Sequence, residues 1–237
     1  MKKLLIASLL LVTVAASAQD FRIGVKGTFY STWLFNTNIS DQGEAWDYAA
    51  TFSPSFGASA ALFFTDNLAV SLDVLYAANN QKLEPANADF GYKTITRVKY
   101  LDLPLLLKIS SEGGAYVEIG PQFSLLMGAN EDFITDVDSI GYKKKDFKND
   151  FSSFGVSPVL GFGVDIQAND NLYINVGLRF GYGLNDATKK FPEDDTSEHS
   201  AFSGLAHFSA DTPPKYSYKK TNRAFGGFTL GVIYKID

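Results

Sequence analysis

The stretch from Val98 to Met127, VKYLDLPLLLKISSEGGAYVEIGPQFSLLM, alternates apolar and mixed positions with a period of two. That period sends successive side chains to opposite faces of a strand, and Ser111-Glu112-Gly113-Gly114 reads as the turn between two long strands. Leu101, Leu103, Leu105, Leu107 and Ile109, then Val117, Ile119, Phe123, Leu125 and Met127, form one face. Tyr100, Asp102, Lys108, Tyr116, Glu118, Gly120, Gln122 and Ser124 form the other. What the apolar face is buried in decides everything that follows.

The same unit recurs along the chain. Alternating strands are expected at about 21–35, 51–64, 68–80, from Tyr92 through the hairpin, at 154–166 and 172–182, and in a closing strand around Phe228 to Ile236. Short turns follow the second, fourth and sixth strands; long polar loops occupy 36–50, 81–91, 129–149 and 187–220. An even number of strands with this alternation predicts an all-β fold, an eight-stranded antiparallel up-and-down transmembrane β-barrel. Trp33, Phe35, Tyr76 and Tyr182 at one end, with Phe21, Phe64 and Tyr234 at the other, are placed to form aromatic girdles.

A soluble eight-stranded barrel of lipocalin type, with its apolar face inside, is the competing architecture. The residues of the non-apolar face argue against it. They are small, with glycine or serine at Gly24, Gly57, Ser59, Gly120, Gly155, Gly161, Gly163, Gly177, Gly181 and Gly183, and a narrow lumen has room for little more. Charges on the same face balance in sign: Arg22, Lys26, Lys108, Arg179 and Lys235 against Asp73, Asp102, Glu118 and Asp165. They are expected to pair inside the lumen as a structural plug, the alternative being a narrow gated ion path. Two features strain the pattern. Pro54, Pro104, Pro121 and Pro158 fall within strands, where bulges are expected, and Arg97 and Lys99 interrupt the apolar face, as a projection above the bilayer or a bulge would allow.

The N-terminus predicts export. Lys2 and Lys3, the apolar run from Leu4 to Ala15 and the small residues Ala16-Ser17-Ala18 read as a signal peptide of residues 1–18 cleaved after Ala18, leaving a barrel domain of residues 19–237. Cysteine is absent, so neither a disulfide framework nor a thiol for lipidation exists. The net charge of −5, more acidic once the two lysines are removed, offers no general affinity for nucleic acid. The expected location is the cell outer membrane.

The hairpin also carries a family resemblance. Tyr100-Leu-Asp-Leu-Pro-Leu-Leu-Leu-Lys108 followed by Tyr116-Val-Glu-Ile-Gly-Pro121 resembles the PorT-like outer-membrane β-barrel family of Gram-negative bacteria, and the opening Phe21-Arg-Ile-Gly-Val-Lys-Gly27 extends the likeness. The resemblance implies a small outer-membrane barrel, with accessory service in protein secretion as an alternative to a purely structural or surface-interaction role. The partners it implies are outer-membrane lipid and lipopolysaccharide, and envelope or secretion-machinery proteins.

Candidate chemistry sits in the loops. His199 and His207, among Asp194, Asp195, Ser197 and Ser200, could furnish a surface hydrolase, but Ser, Asp and His are also ordinary loop composition, and no catalysis is expected. Glu131, Asp132, Asp136 and Asp138 could offer oxygens to Ca²⁺, although their spacing fits no defined calcium loop. Lys143-Lys144-Lys145 could touch lipopolysaccharide phosphates or be a solvated face. The glycine pairs Gly161/Gly163 and Gly181/Gly183 lie within strands and precede no helix, so no nucleotide cofactor site is expected.

Overall fold

The computed structural model describes residues 20–86, 91–136 and 140–236, so the proposed signal peptide and Asp138 lie outside the described residues. In chain order the strands are β1 (Asp20–Asn36), β2 (Asp47–Ala49), β3 (Phe52–Thr65), β4 (Leu68–Glu84), β5 (Tyr92–Ser110), β6 (Ala115–Thr135), β7 (Tyr142–Asp146), β8 (Phe154–Gln167), β9 (Leu172–Tyr182) and β10 (Thr221–Ile236). Two short helices, α1 (Thr37–Ser40) and α2 (Ala201–His207), lie in the loops after β1 and β9. Eight strands, β1, β3, β4, β5, β6, β8, β9 and β10, pair antiparallel with their sequence neighbours, and β4–β5 and β1–β10 complete the ring. The short strands β2 and β7 attach to β4 and β6 above it.

The faces point as a membrane barrel requires. Val25, Phe56, Phe228 and Leu230 are each at least 60% exposed on the outside, while Asp73, Gln122, Asn175 and Arg179 are buried within. Large apolar side chains in that position are stable only against hydrocarbon, which excludes the lipocalin-like arrangement.

Lumen glycines are spaces for particular side chains. A Cβ at Gly161 would strike the Glu118 carboxylate, at Gly163 or Gly177 the Tyr116 hydroxyl, and at Gly181 the Phe225 ring. In the β5–β6 turn, Gly114 takes φ +83°, which a side chain would oppose.

The wall departs from the sequence reading in two respects. First, the strands overshoot. β4 runs to Glu84, β6 reaches Thr135 and folds back as β7, and β10 starts at Thr221 rather than near Phe228. Above the bilayer both faces of a strand can be polar, so the alternation that marks strands within the membrane fades while backbone pairing continues.

Second, the prolines make no bulges. Pro54, Pro104, Pro121 and Pro158 sit in unshifted register, Pro121 directly opposite Pro158. Each lies instead at a gap or an end of one of its two ladders. The β4–β5 ladder skips Asp73 and Val74 opposite Pro104 and Leu103, the β5–β6 ladder skips Leu105 and Leu106 opposite Pro121 and Gly120, and the β3–β4 and β8–β9 ladders stop one residue short of Pro54 and Pro158. The missing N–H thus coincides with an interrupted rung and the register survives. A true bulge does occur between Lys99 and Tyr100, where Met127 is the extra residue of β6. It switches the inward positions of β6 from Gln122 and Ser124 to Ala129 and Glu131.

Candidate functional site: a charged lumen beneath a folded cap

Strand alternation delivers the lumen charges to one axis. At mid-height Arg179 of β9 joins Glu118 of β6 (Nε–Oε1 2.7 Å) and Asp73 of β4 (Nη1–Oδ2 3.0 Å), and Asp73 also accepts from Lys26 of β1 (3.1 Å) and Ser59 (2.6 Å). Toward the short turns Lys108 pairs with Asp165, whose other oxygen accepts from Asn175, and the Lys108 ammonium lies 3.9 Å from the Tyr116 ring centroid. At the mouth on that side Arg22 pairs with Asp20 and stacks between Phe63 and Tyr173, while Lys235 stands 3.9 Å from Asp20 and is one-third exposed. Arg22 and Lys235 therefore belong to the rim and share an acid, Asp20, that lies just outside the first strand as read from sequence.

Asp102 has a partner that sequence reasoning missed. Arg223 of β10 grips it through both terminal nitrogens (3.2 and 2.7 Å), donates to Asn79 and Ser124, and lies between the Tyr100 and Phe225 rings. Thr221-Asn222-Arg223 looks like loop, but Arg223 is two residues before the lumen-facing Phe225, and that spacing was the available signal.

Above this level the loops fold over the opening. Ile39 of α1, Phe202 of α2, Phe151 and Ala187 pack on Leu34, Leu83, Val98, Tyr100 and Ala129 at the strand ends, with Ile39, Leu83, Phe151 and Phe202 inaccessible to solvent. Buried polar side chains tie the loops to one another. The Asn38 amide donates to the carbonyls of Ala206 and Ser217, Asn36 caps α1 and donates to Lys219 O, and Ser200 caps α2. Glu131, turned inward by the bulge, accepts from the N–H groups of Ala201 and Phe202, the Thr96 hydroxyl and the Tyr142 hydroxyl. Burial, reinforced by the Glu131 carboxylate, raises the Tyr142 phenol above its ordinary range.

That geometry separates the oxygens considered for calcium. Glu131 faces the cap interior, whereas its neighbour Asp132 faces outward, accepts from Arg97 (2.8 Å) and from Lys144 N–H, and is held below the usual carboxylate range chiefly by Arg97. Among the described residues no cluster of metal-ligating side chains forms.

The histidines are committed to the cap. Phe191 stacks between the rings of His199 and His207, at 3.7 and 3.5 Å. His207 donates from Nδ1 to Ser203 O (2.7 Å) and accepts at Nε2 from Phe191 N–H (3.1 Å), so it is neutral, and burial keeps its pKa low. His199 Nδ1 and Ser200 N–H share the Asp150 carboxylate, and His199 Nε2 stands 3.5 Å from Asp195. Ser197 bonds Asp195, Asp194 is exposed, and the Ser200 hydroxyl receives the Ser203 N–H. No serine hydroxyl bonds either imidazole among the described residues, so these groups do not converge as a nucleophile and its base.

An antiparallel ring with hydrocarbon-compatible exterior, ion-paired lumen and loops gathered at one end defines an integral outer-membrane β-barrel. The chain belongs to the outer membrane protein beta-barrel domain family, whose model matches residues 17–189. Similar solved structures include OprG of Pseudomonas aeruginosa (12% identity, 92% of this chain and 96% of that one, TM-score 0.41). Neisserial surface protein A (11%, 91% and 97%, 0.41) and Ail, the attachment invasion locus protein of Yersinia pestis (9%, 92% and 100%, 0.41), are others. No curated protein sequence matches.

Proposed function

We propose that this protein is a closed outer-membrane barrel whose work is done by its folded cap as an interaction platform, without conduction and without catalysis. The seal of Ile39, Phe151 and Phe202 across the outer opening carries the reading. Beneath it the lumen is occupied by paired charges, and eight strands enclose no more than their own side chains fill. The loops are interlocked by Asn36, Asn38, Glu131 and Asp150, and a folded surface loses less entropy on meeting a partner than a loose one.

The test combines bilayer recording with capture from native outer membranes. The wild-type protein is expected to give no discrete conductance, and to retain envelope proteins that a variant with residues 189–218 replaced by a short glycine-serine linker does not. Stepwise conductance, or identical capture by the two, overturns the proposal. If the captured set includes secretion components and deletion traps exported cargo, the platform serves secretion. Loss of a surface enzymatic activity on His199→Ala or His207→Ala would contradict the non-catalytic reading.

A further inference from the structure

Charge is spread unevenly over the cap. The loop after β1 exposes Asp41, Glu44 and Asp47, and residues 37–50 hold no lysine or arginine. On the side of β8, β9 and β10, three loop segments lie side by side. Lys189 N–H donates to Asp150 O (2.7 Å) and Ser152 N–H to Ala187 O (3.0 Å), which joins 148–152 to 187–191. Ala187 N–H donates to Thr221 O (2.9 Å), and the hydroxyls of Tyr216 and Tyr218 reach the carbonyls of Phe191 and Thr188, which joins 187–191 to 216–221. Lys148, Lys189, Lys190, Lys219 and Lys220 are all exposed on this strip.

The acids of the same segments turn the other way. Asp150 is held by His199 Nδ1 (3.0 Å) and Ser200 N–H (2.7 Å), and Asp186 accepts from the N–H groups of Thr188 (3.1 Å) and Thr221 (3.0 Å) and from the Tyr218 hydroxyl. The exposed acids nearest in sequence, Asp146 and Glu193, lie beyond the ends of the segments. Among the described residues none of the five lysines is ion-paired, in contrast to Lys145, which turns to Glu198. Lys190 Nζ instead stands 5.8 Å from the Tyr218 ring centroid, and Lys220 Nζ donates to Leu184 O (2.6 Å). On a chain of net charge −5, this strip is a local field of the opposite sign, and its complement is an anion outside the molecule.

Three segments at the ~4.8 Å spacing of paired strands spread the lysines over about 10 Å, more than one small anion can touch. The exposed positions are lysine and asparagine, without the large apolar anchors that centre a protein interface. Tyr216 and Tyr218, half-buried and pinned by their hydroxyls, add rigid rings among the charges. We infer that the strip binds a linear anionic polysaccharide outside the cell, with its acid groups on the lysines and its sugar rings against the two tyrosines. Lysine, a compact charge on a flexible stem, suits acid groups repeated along a chain, whereas arginine, which suits paired planar contacts, does not occur in the three segments. The site belongs to the platform proposed above and presupposes that reading.

The experiment titrates the full barrel in detergent with dextran sulfate, and with neutral dextran, polyglutamate and phosphorylated lipopolysaccharide core oligosaccharide as alternatives. The wild type is expected to bind dextran sulfate and not neutral dextran, and to bind more weakly as salt rises from about 50 to about 300 mM. An exposed charge pair is worth roughly a factor of three, so Lys189→Gln/Lys190→Gln is expected to lose about tenfold. Lys93→Gln/Lys99→Gln removes the same charge from β5, opposite β10 in the ring, and should leave binding within about twofold. An equal loss in that control, no loss in the strip variant, salt-independent binding, equally tight polyglutamate, or displacement by the core oligosaccharide at equal charge overturns the inference. Heat-modifiable migration checks that each variant stays folded. Should the strip variant fail it, Lys190→Gln alone is expected to lose about threefold, and no loss there overturns the inference as well. A wild type that binds no polyanion also overturns it, and leaves the platform itself to stand or fall by conductance and capture.

Discussion

The lumen and the cap close the same axis by opposite means. In the lumen, charged groups from seven strands neutralise one another above and below Arg179, and little of the contact is apolar. In the cap, isolated apolar residues from separate loops meet at Phe151 and Phe202, and the polar groups around them serve as fasteners. A network of buried charges fails when any one partner is removed, because the others remain desolvated. An apolar cluster loses what the missing side chain contributed and little more. Damage in the lumen should therefore be felt by the whole barrel, and damage in the cap locally.

The largest effect should follow Arg179→Ala, which leaves Asp73 with one cation and Glu118 with none. A loss of roughly 3–5 kcal/mol of barrel stability is expected in urea unfolding, with much of it recovered when Glu118→Gln is added. No rescue by the second change would mean that the pairs are independent rather than one network. Next, Phe202→Ala should cost about 3 kcal/mol, read as faster protease nicking of residues 187–220 while the barrel's own unfolding midpoint holds. A fall in that midpoint as large as for Arg179→Ala would erase the distinction between the two regions.

A smaller effect, about 1–2 kcal/mol, is expected for Glu131→Gln, which keeps the shape but removes the charge that holds the α2 amides and Tyr142. Smaller again is a dependence on pH. Burial holds His207 below its ordinary value in the folded cap, whereas an unfolded histidine titrates near ~6.5. Between the two, the unfolded state binds the extra proton. The contribution is whole above ~6.5 and is lost as pH falls toward the depressed folded value, so nicking should be faster at about pH 5 than at about pH 7.5. In His207→Gln that difference should shrink; if it persists, another group governs it. Breaking the exposed Lys145–Glu198 pair should change nothing measurable in either region.

The barrel wall was legible because hydrocarbon imposes a strict period of two. Leu101 to Ile109 and Phe228 to Ile236 could be read as strands with a stated outer face, and the lumen side of Asp73, Asp102, Glu118 and Arg179 followed from the same parity. Legibility ended where the membrane does. Arg223 was lost because Thr221-Asn222-Arg223 continues a strand whose two faces are both polar there, and β7 was hidden in a lysine run. The cap could not be foreseen at all. Ile39, Phe151 and Phe202 are single apolar residues far apart in polar loops, and only the closed ring brings them together. The prolines misled in the other direction, since a missing donor forces a bulge only where the rung it would occupy is otherwise made.

The seam between β1 and β10 runs unshifted from the Phe21–Ile236 pair to the Asn36–Thr221 pair. Its two halves are the first and last strands of the ring in chain order, so any intermediate in which they have not met has two raw hydrogen-bonding borders and a greasy outer wall. Such a chain reaches its native shape only when the ring zips shut in lipid, where both borders are satisfied at one stroke.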